Sequence, residues 1–405
     1  MRALFLAMIY FSLAMVVSRS YFILRKLQHA RPQSEKKLLV NNGSFQPKHG
    51  DIKWESSSLQ RISPAAVNAF YPRMVQLPDE SLLLAYASKG NIVVQKCLTG
   101  TGQWQEGIVA AAQVEGINMD TPELLQLQNG EILLCYNGRP QGALRKLPEA
   151  GKRFDIRIKR SSDAGTSWKD EKILYQAGTS FKDGCWEPAA IQLPSGEIQL
   201  YFSDEGIYTE SNEQNISMLR SADNAASWSA RPVIISFRKN SRDGMPVPQW
   251  LPKQQRVAMA IEDPGIKNFK PAIIHSNAMG QWTAIDKDVE SLRVPALAEK
   301  LADTVYAGAP YLRRFSNGIT VLSYQSSENR AGKNTEADAV MVVATGNDAA
   351  EAFQHSSIPF AVPEGFHALW NSVCITRGDT IIALTSTNAF SKSASEIWMI
   401  KGTLQ

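Results

Sequence analysis

Apolar residues along this chain occur in pairs of short runs, and each pair is separated by a tight polar turn. In one pair, which begins at Pro188, the runs AAIQL and IQLYF flank a Pro-Ser-Gly turn. Two apolar runs around a turn of this kind are typical of a β-hairpin. Helical periodicity is scarce, so the pattern predicts an all-β protein.

The hairpin pattern recurs six times, which indicates a repeat architecture. Five copies start with a residue followed by proline, and these prolines are Pro72, Pro122, Pro188, Pro246 and Pro310. A weaker sixth copy starts at Asn371 and has Ser372 in place of the proline. The 50 residues from Pro72 to Pro122 leave room for two further strands after the hairpin. We therefore predict a six-bladed β-propeller of four-stranded antiparallel blades.

A second motif links the outer strands of the repeats. It reads SSDAGTSW at residues 161–168 and SADNAASW at residues 221–228. An Asp side chain in such a turn accepts hydrogen bonds from backbone N–H groups, and the Trp packs between sheets. We interpret these segments as structural Asp-box turns, and we do not assign the active site to Asp163 or Asp223.

The last repeat lacks one strand. After its hairpin only one clear strand follows, SEIWMIKG, so the sixth blade would end in an open edge. An open edge strand promotes aggregation unless it is covered or paired. We therefore expect residues 51–62, at the start of the repeat region, to supply the missing outer strand and to close the ring.

Acidic and aromatic residues concentrate where each first strand begins and each second strand ends, and these ends share one rim of a propeller. Glu187 stands out because the equivalent positions of the other repeats hold no acid. A single charge in the central funnel is costly unless it is used or paired. Glu262 ends an apolar strand, RVAMAIE. Its charge would be costly there for the same reason, so we also expect it to be used or paired.

A rim of this composition suits a sugar, because carboxyls perform acid–base work and aromatic rings stack on sugar faces. An acid at a strand end is also commonly a turn cap, and that alternative stays open for each of these acids. The residues that we predict to bind the substrate are Tyr71, Arg73, Asp120, Glu123, Asn137, Trp186, Asp243, Tyr311, Gln325, Trp370 and Asn371.

Composition and charge narrow the function classes. The chain has 405 residues, 44% of them hydrophobic, and a net charge of +4 without a basic stripe. Nucleic-acid binding is therefore not expected. His367, one of only five histidines, has no partner at ligand spacing, so we predict neither a metal nor another cofactor. An oligo- or polysaccharide is the expected partner, and a monomer is the expected state.

The N-terminus resembles a secretory signal, because an apolar run follows Arg2 and small polar residues follow the run. The run is short for a transmembrane helix. We predict a signal peptide, or alternatively an uncleaved anchor, at residues 1–20, a flexible leader at 21–50 and a catalytic propeller at 51–405. The protein would then be secreted or periplasmic, without stable membrane insertion after cleavage.

The hairpins and Asp boxes resemble the sialidase-like six-bladed propellers over residues 50–405. Three segments, CWEPAAIQLPSGEIQLYFSDE, RDGMPVPQWLPKQQRVAMAIED and AGAPYLRRFSNGITVLSYQSSE, resemble glycoside hydrolase family 93, the exo-arabinanases that act on linear α-1,5-L-arabinan. The resemblance implies a retaining mechanism without a metal, with Glu187 as nucleophile and Glu262 as general acid/base. A tyrosine assists the nucleophile in that family. Tyr311 and Tyr324 are the candidates, and we assign Tyr324 as catalytic.

Two other functions remain as alternatives. True sialidases place an arginine before the proline of the first hairpin, where this chain has Phe70, and Arg73 lies on the other side of that proline. Without that guanidinium a substrate carboxylate loses a bidentate partner. The second alternative is a non-catalytic glycan-binding propeller, which would not need two carboxyls about 5 Å apart, as a retaining glycosidase does.

Overall fold

The computed structural model describes residues 50–142, 151–265, 268–287, 289–332, 335–391 and 394–405. Its strands form six four-stranded antiparallel sheets, which confirms the predicted propeller. The only helices in these ranges are short 3-10 turns, Ala278–Gly280 and Glu336–Asp338, and none could cross a membrane. The predicted signal peptide and nearly all of the predicted leader lie outside the described residues and stay predictions.

Each blade is built from four strands that run outward from the axis in chain order, except in the last blade. The described chain starts with β1 (Ile52–Arg61), which belongs to blade 6. Blade 1 contains β2 (Phe70–Gln76), β3 (Leu82–Ser88), β4 (Asn91–Cys97) and β5 (Ile108–Ala111). Blade 2 contains β6 (Ile117–Gln126), β7 (Ile132–Pro140), β8 (Asp155–Ser161) and β9 (Lys169–Gln176).

The other four blades repeat this arrangement. Blade 3 contains β10 (Cys185–Gln192), β11 (Ile198–Asp204), β12 (Asn215–Ser221) and β13 (Val233–Ser236). Blade 4 contains β14 (Gly244–Leu251), β15 (Arg256–Asp263), β16 (Lys270–His275) and β17 (Val294–Pro295). Blade 5 contains β18 (Ala307–Arg314), β19 (Thr320–Ser326), β20 (Val340–Gly346) and β21 (Gln354–Ser357). Blade 6 contains β22 (Ala368–Ile375), β23 (Thr380–Thr387), β24 (Glu396–Leu404) and finally β1.

Every axial strand carries a β-bulge near its start, where two of its residues face one residue of the second strand. The first bulge residue has a positive φ in all six blades, and these residues are Tyr71, Thr121, Glu187, Met245, Ala309 and Trp370. That backbone conformation costs a non-glycine residue about 1–3 kcal/mol. A bulge also bends the strand and redirects its side chains. The sixfold recurrence indicates that the propeller geometry imposes the bulge on whatever residue occupies the position.

The bulge corrects the alignment of the sixth repeat. Trp370 and Asn371 together face Thr385, because Leu369 pairs with Ser386 and the next pair begins at Ser372. Asn371, and not Ser372, therefore occupies the position of the proline, and Trp370 is the counterpart of Glu187. The sequence pattern was placed one residue too late because this repeat lacks the proline that marks the position.

The ring closes as predicted. β1 pairs with β24 along the edge of blade 6, with Ile52 opposite Leu404 and Arg61 opposite Trp398. The sixth sheet thus takes its outermost strand from the start of the described chain and its other three strands from the end. Apolar clusters fill the spaces between neighbouring sheets, and Trp168 and Trp228 of the Asp boxes pack against two of them.

The two Asp boxes lie on outer turns, as expected. Asp163 follows β8, and its carboxylate accepts hydrogen bonds from the Ser161 hydroxyl at 2.8 Å and the Ser167 N–H at 2.9 Å. Asp223 makes the same contacts with Ser221 and Ser227 after β12. The hydrogen bonds from Ser167 are the main cause that lowers the pKa of Asp163, to about 2.

We expect Asp163→Ala to lower the free energy of unfolding by about 1 kcal/mol. The substitution removes a side-chain acceptor for backbone N–H groups, and the loss of such an acceptor at a helix N-cap has a similar cost. The loss should vanish as the pH falls from about 4 to about 2, since the wild-type carboxylate is itself protonated there. Asp163→Asn should lose less, because Asn347 serves the same turn in blade 5 through its side-chain oxygen. Chemical denaturation tests both variants, and reduced turnover with an unchanged unfolding midpoint would contradict the structural assignment.

Candidate active site

Two structural positions that recur in the blades hold the two funnel acids. The first is the leading bulge residue of the axial strand, which in blade 3 is Glu187. The second lies on the neighbouring strand, opposite the residue that precedes the bulge, and in blade 4 this is Glu262, opposite Gly244. The counterparts of Glu262 in the other blades are Ala87, Asn137, Ser203, Gln325 and Ser386. The two acids therefore enter the funnel from neighbouring blades.

Glu187 lies between a hydroxyl donor and a guanidinium. The Ser203 hydroxyl donates to its Oε2 at 3.3 Å, and that hydroxyl is oriented by the Met245 N–H at 3.2 Å. Nη2 of Arg139 lies 3.9 Å from its Oε1. Burial raises the pKa of Glu187, and the Arg139 charge is the main cause that opposes the rise. Arg139 thus favours the ionised form of this carboxyl.

The surroundings of Glu262 favour its protonated form. Burial raises its pKa to about 8, and the negative charge of Glu187 is the second cause of the rise. Its Oε2 accepts the N–H of Ala309, the leading bulge residue of blade 5, at 2.9 Å. Near neutral pH, Glu262 therefore keeps its proton and can donate it, which is the protonation state of a general acid.

Two glycines make room for Glu262. A Cβ at Gly244 would lie 2.9 Å from its Oε1, and a Cβ at Gly308 would lie 3.0 Å from its Oε2. Gly308 and Gly244 precede the bulges of blades 5 and 4. The counterparts in the other four blades all carry side chains and are Phe70, Asp120, Trp186 and Leu369. The glycines thus occur where the wall must accommodate this carboxyl.

Aromatic rings and a buried cation form one wall of the funnel. The rings of Tyr71 and Trp370 contact each other with centroids 5.1 Å apart. The guanidinium of Arg139 lies over the ring of Trp186 at 5.1 Å and pairs with Asp120 at 3.3 Å. Flat apolar faces beside hydrogen-bonding groups are what a sugar ring requires. The predicted residues Tyr71, Asp120, Glu187, Glu262 and Trp370 are all partly exposed in this funnel.

Three predicted substrate ligands lie instead in a buried cluster at the axis. Glu123 accepts the Tyr311 hydroxyl at 3.0 Å and pairs with Arg73 at 3.4 Å and with Arg313 at 3.4 Å. Arg73 also donates to the backbone oxygen of Trp370 at 3.2 Å. Because these groups bond to one another, the interpretation of Arg73, Glu123 and Tyr311 as substrate ligands is corrected to a structural role.

The assignment of Tyr324 as the catalytic tyrosine is also corrected. Tyr324 faces the bulge of blade 5, at the position that Phe202 and Ile261 occupy in blades 3 and 4, and it is buried in the core. Its hydroxyl bonds to Ser356 in the outermost strand of the blade. The phenol near Glu187 is that of Tyr71, whose electrostatic neighbours are Arg139, Asp120 and Glu187.

The remaining predicted residues support the wall from behind. The Asn137 side-chain oxygen accepts a hydrogen bond from Arg139 Nε at 2.7 Å. The Trp186 Nε1 donates a hydrogen bond to the Glu205 carboxylate at 2.6 Å. Gln325 donates to the Tyr306 hydroxyl at 2.7 Å and accepts the Trp370 N–H at 2.8 Å. Asp243 lies further out, where it is paired with Arg293. The Asn371 amide is buried and donates to the Ala368 backbone oxygen at 3.3 Å.

Sequence reasoning missed Arg139, Arg242 and Tyr306, and it placed Glu205 on the rim only as a possible loop charge. Glu205 is fully buried and holds Arg242 through both carboxylate oxygens. Arg139 and Glu205 occupy equivalent positions, two residues beyond Asn137 and Ser203, and Arg139 could have been found by extending the predicted second strand to Pro140. Within the described ranges no group of three or more His, Cys, Asp and Glu side chains is arranged to hold a metal ion.

Comparison with known proteins identifies the fold. No protein-family model matches the chain, and no curated protein matches it. A protein of unknown function from Dyadobacter fermentans superimposes with a TM-score of 0.64 at 14% identity, covering 86% of this chain and 100% of that one. The family 93 α-L-arabinofuranosidase of Fusarium graminearum, solved with arabinobiose, gives 0.61 at 16% identity, covering 88% and 98%. The NanB sialidase of Streptococcus pneumoniae gives 0.59 at 12%, covering 88% and 70%. At these identities the similarity establishes a shared propeller fold.

We expect Glu262→Gln to stabilise the protein at alkaline pH. The pKa of the folded-state carboxyl, about 8, exceeds its ordinary value of 4.5, so the wild type loses stability as the pH rises through this window. Glutamine keeps the shape and cannot ionise. The melting temperature of the variant should exceed that of the wild type by several degrees at about pH 9 and match it at about pH 4. A difference that does not depend on pH would contradict the raised pKa, and Glu80→Gln on an exposed turn is the control.

Proposed function

We propose that the protein is a retaining glycoside hydrolase with Glu187 as nucleophile and Glu262 as general acid/base. The observation that carries the proposal is a pair of buried funnel carboxyls with different charged neighbours. Arg139 favours the charge of Glu187, whereas burial and the neighbouring Glu187 keep the proton on Glu262. Glycosidases of both stereochemical classes use such a pair, one carboxyl ionised and one protonated. The choice of a retaining mechanism rests on the resemblance of the two segments to family 93.

In the proposed first step, a Glu187 oxygen attacks the anomeric carbon while the bond from that carbon to the leaving oxygen breaks. Glu262 gives its proton to the leaving oxygen, so no free alkoxide forms. In the second step, Glu262 accepts a proton from water, and the water oxygen displaces Glu187 from the anomeric carbon. The products are a sugar hemiacetal and a free alcohol, and both carboxyls return to their starting states.

We propose exo-action on linear α-1,5-linked L-arabinan, or on a related neutral polysaccharide, as the activity. The segments around Glu187 and Glu262 support this choice through their resemblance to the exo-arabinanases. The Fusarium graminearum enzyme of the same fold was solved with arabinobiose, which agrees with it. The rings of Tyr71 and Trp370 offer an apolar face for an uncharged sugar.

The charges around the funnel argue against a sialidase. A sialoside needs free guanidinium groups for its carboxylate. Arg73 is committed to Glu123 and to backbone oxygens, and Arg242 is committed to Glu205. The charge of Arg139 is already compensated by two carboxylates, Asp120 and Glu187, which would repel a third.

Product analysis on three substrates tests the proposal. The full-length protein is incubated with linear arabinan, branched arabinan and sialyl-lactose, and the released sugars are separated and identified. We expect a single short product from linear arabinan, with the anomeric configuration retained in its first-formed state. Release of sialic acid from sialyl-lactose would support the sialidase alternative. Binding of arabinan without release of any sugar would support the non-catalytic glycan-binding alternative.

A further inference from the structure

We propose that Arg139 binds the substrate directly, and that its Nη2 donates a hydrogen bond to the sugar hydroxyl on the carbon next to the anomeric carbon. This inference rests on the proposed glycosidase function and goes beyond it, because it assigns a ligand to a residue that the family resemblance did not single out. It would make Arg139 the residue that selects substrates carrying this hydroxyl.

The guanidinium of Arg139 is only partly used by the protein. Its Nε donates to Asn137 at 2.7 Å, and its Nη1 pairs with Asp120 at 3.3 Å. Its Nη2 is buried and makes no hydrogen bond of good geometry with a described residue, although Oε1 of Glu187 lies 3.9 Å away and the Tyr71 hydroxyl is a neighbour of the guanidinium. A buried, unsatisfied donor on a charged group is expensive, so a native protein leaves one mainly where a ligand or water will satisfy it.

The position of Nη2 relative to Glu187 identifies the ligand atom. Nη2 lies 3.9 Å from the Oε1 of Glu187. When a nucleophile oxygen stands about 3–3.5 Å from the anomeric carbon, the hydroxyl on the adjacent carbon falls beside that oxygen. A donor next to the nucleophile therefore meets this hydroxyl. Hydrogen bonds to the same hydroxyl strengthen in glycosidase transition states and contribute to the rate.

The surroundings hold the guanidinium in one orientation. Its plane lies over Trp186, with 5.1 Å from the central carbon to the ring, and it also contacts the ring of Tyr71 at 5.8 Å. Arg139 is only 6% exposed. A donor fixed in this way loses little entropy when the substrate binds.

The charge balance selects a hydroxyl over a carboxylate as the ligand. Arg139 faces two acids, Asp120 and Glu187, so its single positive charge is already compensated. A third carboxylate at Nη2 would be repelled by both acids. A neutral hydroxyl can accept from Nη2 without adding charge.

Binding measurements test this assignment without requiring turnover. The probes are 1,4-dideoxy-1,4-imino-L-arabinitol and its 2-deoxy derivative, titrated by calorimetry into the full-length protein. Loss of a hydrogen bond to a charged donor should weaken wild-type binding of the deoxy probe about 10- to 100-fold. In Arg139→Gln and Arg139→Lys the dissociation constants of the two probes should differ by less than about 3-fold, because neither variant has the guanidinium nitrogen that reaches the hydroxyl.

Arg157→Lys is the matched control, because Arg157 is equally buried in the same blade but pairs with Asp155, outside the funnel. It should discriminate between the probes as the wild type does. An equal penalty in the wild type and both Arg139 variants, or no penalty in the wild type, would overturn the assignment while leaving the glycosidase proposal intact. Failure of the wild type to bind either probe would overturn both this assignment and the proposed action on arabinan. Arg139→Lys keeps the positive charge beside Asp120 and Glu187. The test can therefore be made with this variant if Arg139→Gln does not fold.

Discussion

Glu187→Gln should abolish hydrolysis of linear arabinan, with a fall in kcat of at least about 10⁴-fold, because the covalent step loses its nucleophile. Glutamine preserves the size of the side chain and can still contact the Ser203 hydroxyl, so the fold should be retained. The residual rate is measured on linear arabinan together with the melting temperature. In the wild type, an activated 2-fluoro glycoside should also leave a stable adduct at this residue, visible by mass spectrometry of peptides.

Glu131→Gln provides the control for that experiment. Glu131 is a partly buried carboxyl paired with Arg160 at the turn between β6 and β7, away from the funnel. Its removal should leave the rate unchanged. Near-normal turnover by Glu187→Gln would defeat the assignment of Glu187 as nucleophile.

Glu262→Ala should slow the hydrolysis of some substrates far more than others, depending on their leaving groups. Hydrolysis of arabinan, which needs a proton on a poor leaving group, should fall about 10²- to 10⁴-fold. Cleavage of an aryl glycoside with an acidic phenol needs little protonation, so its first step should survive and the glycosyl-enzyme should accumulate. Added azide, which attacks without a general base, should restore turnover and yield a glycosyl azide.

The pH profile gives a second test of Glu262. Because the pKa of its carboxyl lies near 8 in the folded protein, arabinan hydrolysis by the wild type should decline as the pH rises through that value. The groups that influence this titration are Glu187, Glu336 and Arg242, besides the Ala309 N–H. In Glu262→Ala the alkaline decline should disappear for the aryl glycoside. An unchanged decline in the variant would assign it to another group.

The six-bladed fold could be predicted from the sequence because a proline marks the β-bulge in five of the six axial strands. The same prolines made it possible to single out the carboxyl of Glu187, and Glu262 was found separately. Five of the six bulges place proline at their second position, so aligning the prolines also aligned the residues before them, and Glu187 emerged as an acid without counterparts. Glu262 emerged because it ends an apolar strand. Where the proline is missing, at Asn371, the alignment slipped by one residue.

Contacts across the funnel could not be predicted from one strand at a time. Tyr324 and Gln325 are neighbours in β19, but alternation turns the first into the core and the second toward Tyr306. The pairing of Glu123 with Tyr311 joins blade 2 to blade 5, a contact that no local pattern encodes. Arg139 lies beyond the point at which the strand was assumed to end.

The closure of blade 6 has a consequence for synthesis on the ribosome. β1 is made before blades 1 to 5, yet its partner β24 spans Glu396–Leu404, so this strand must wait until those blades have been made. A strand that waits unpaired risks joining the wrong chain. β1 reads IKWESSSLQR and is mostly polar and exposed even in the finished sheet. This composition makes the nascent strand a poor template for aggregation, so its polarity protects the protein during the interval before the last blade is complete.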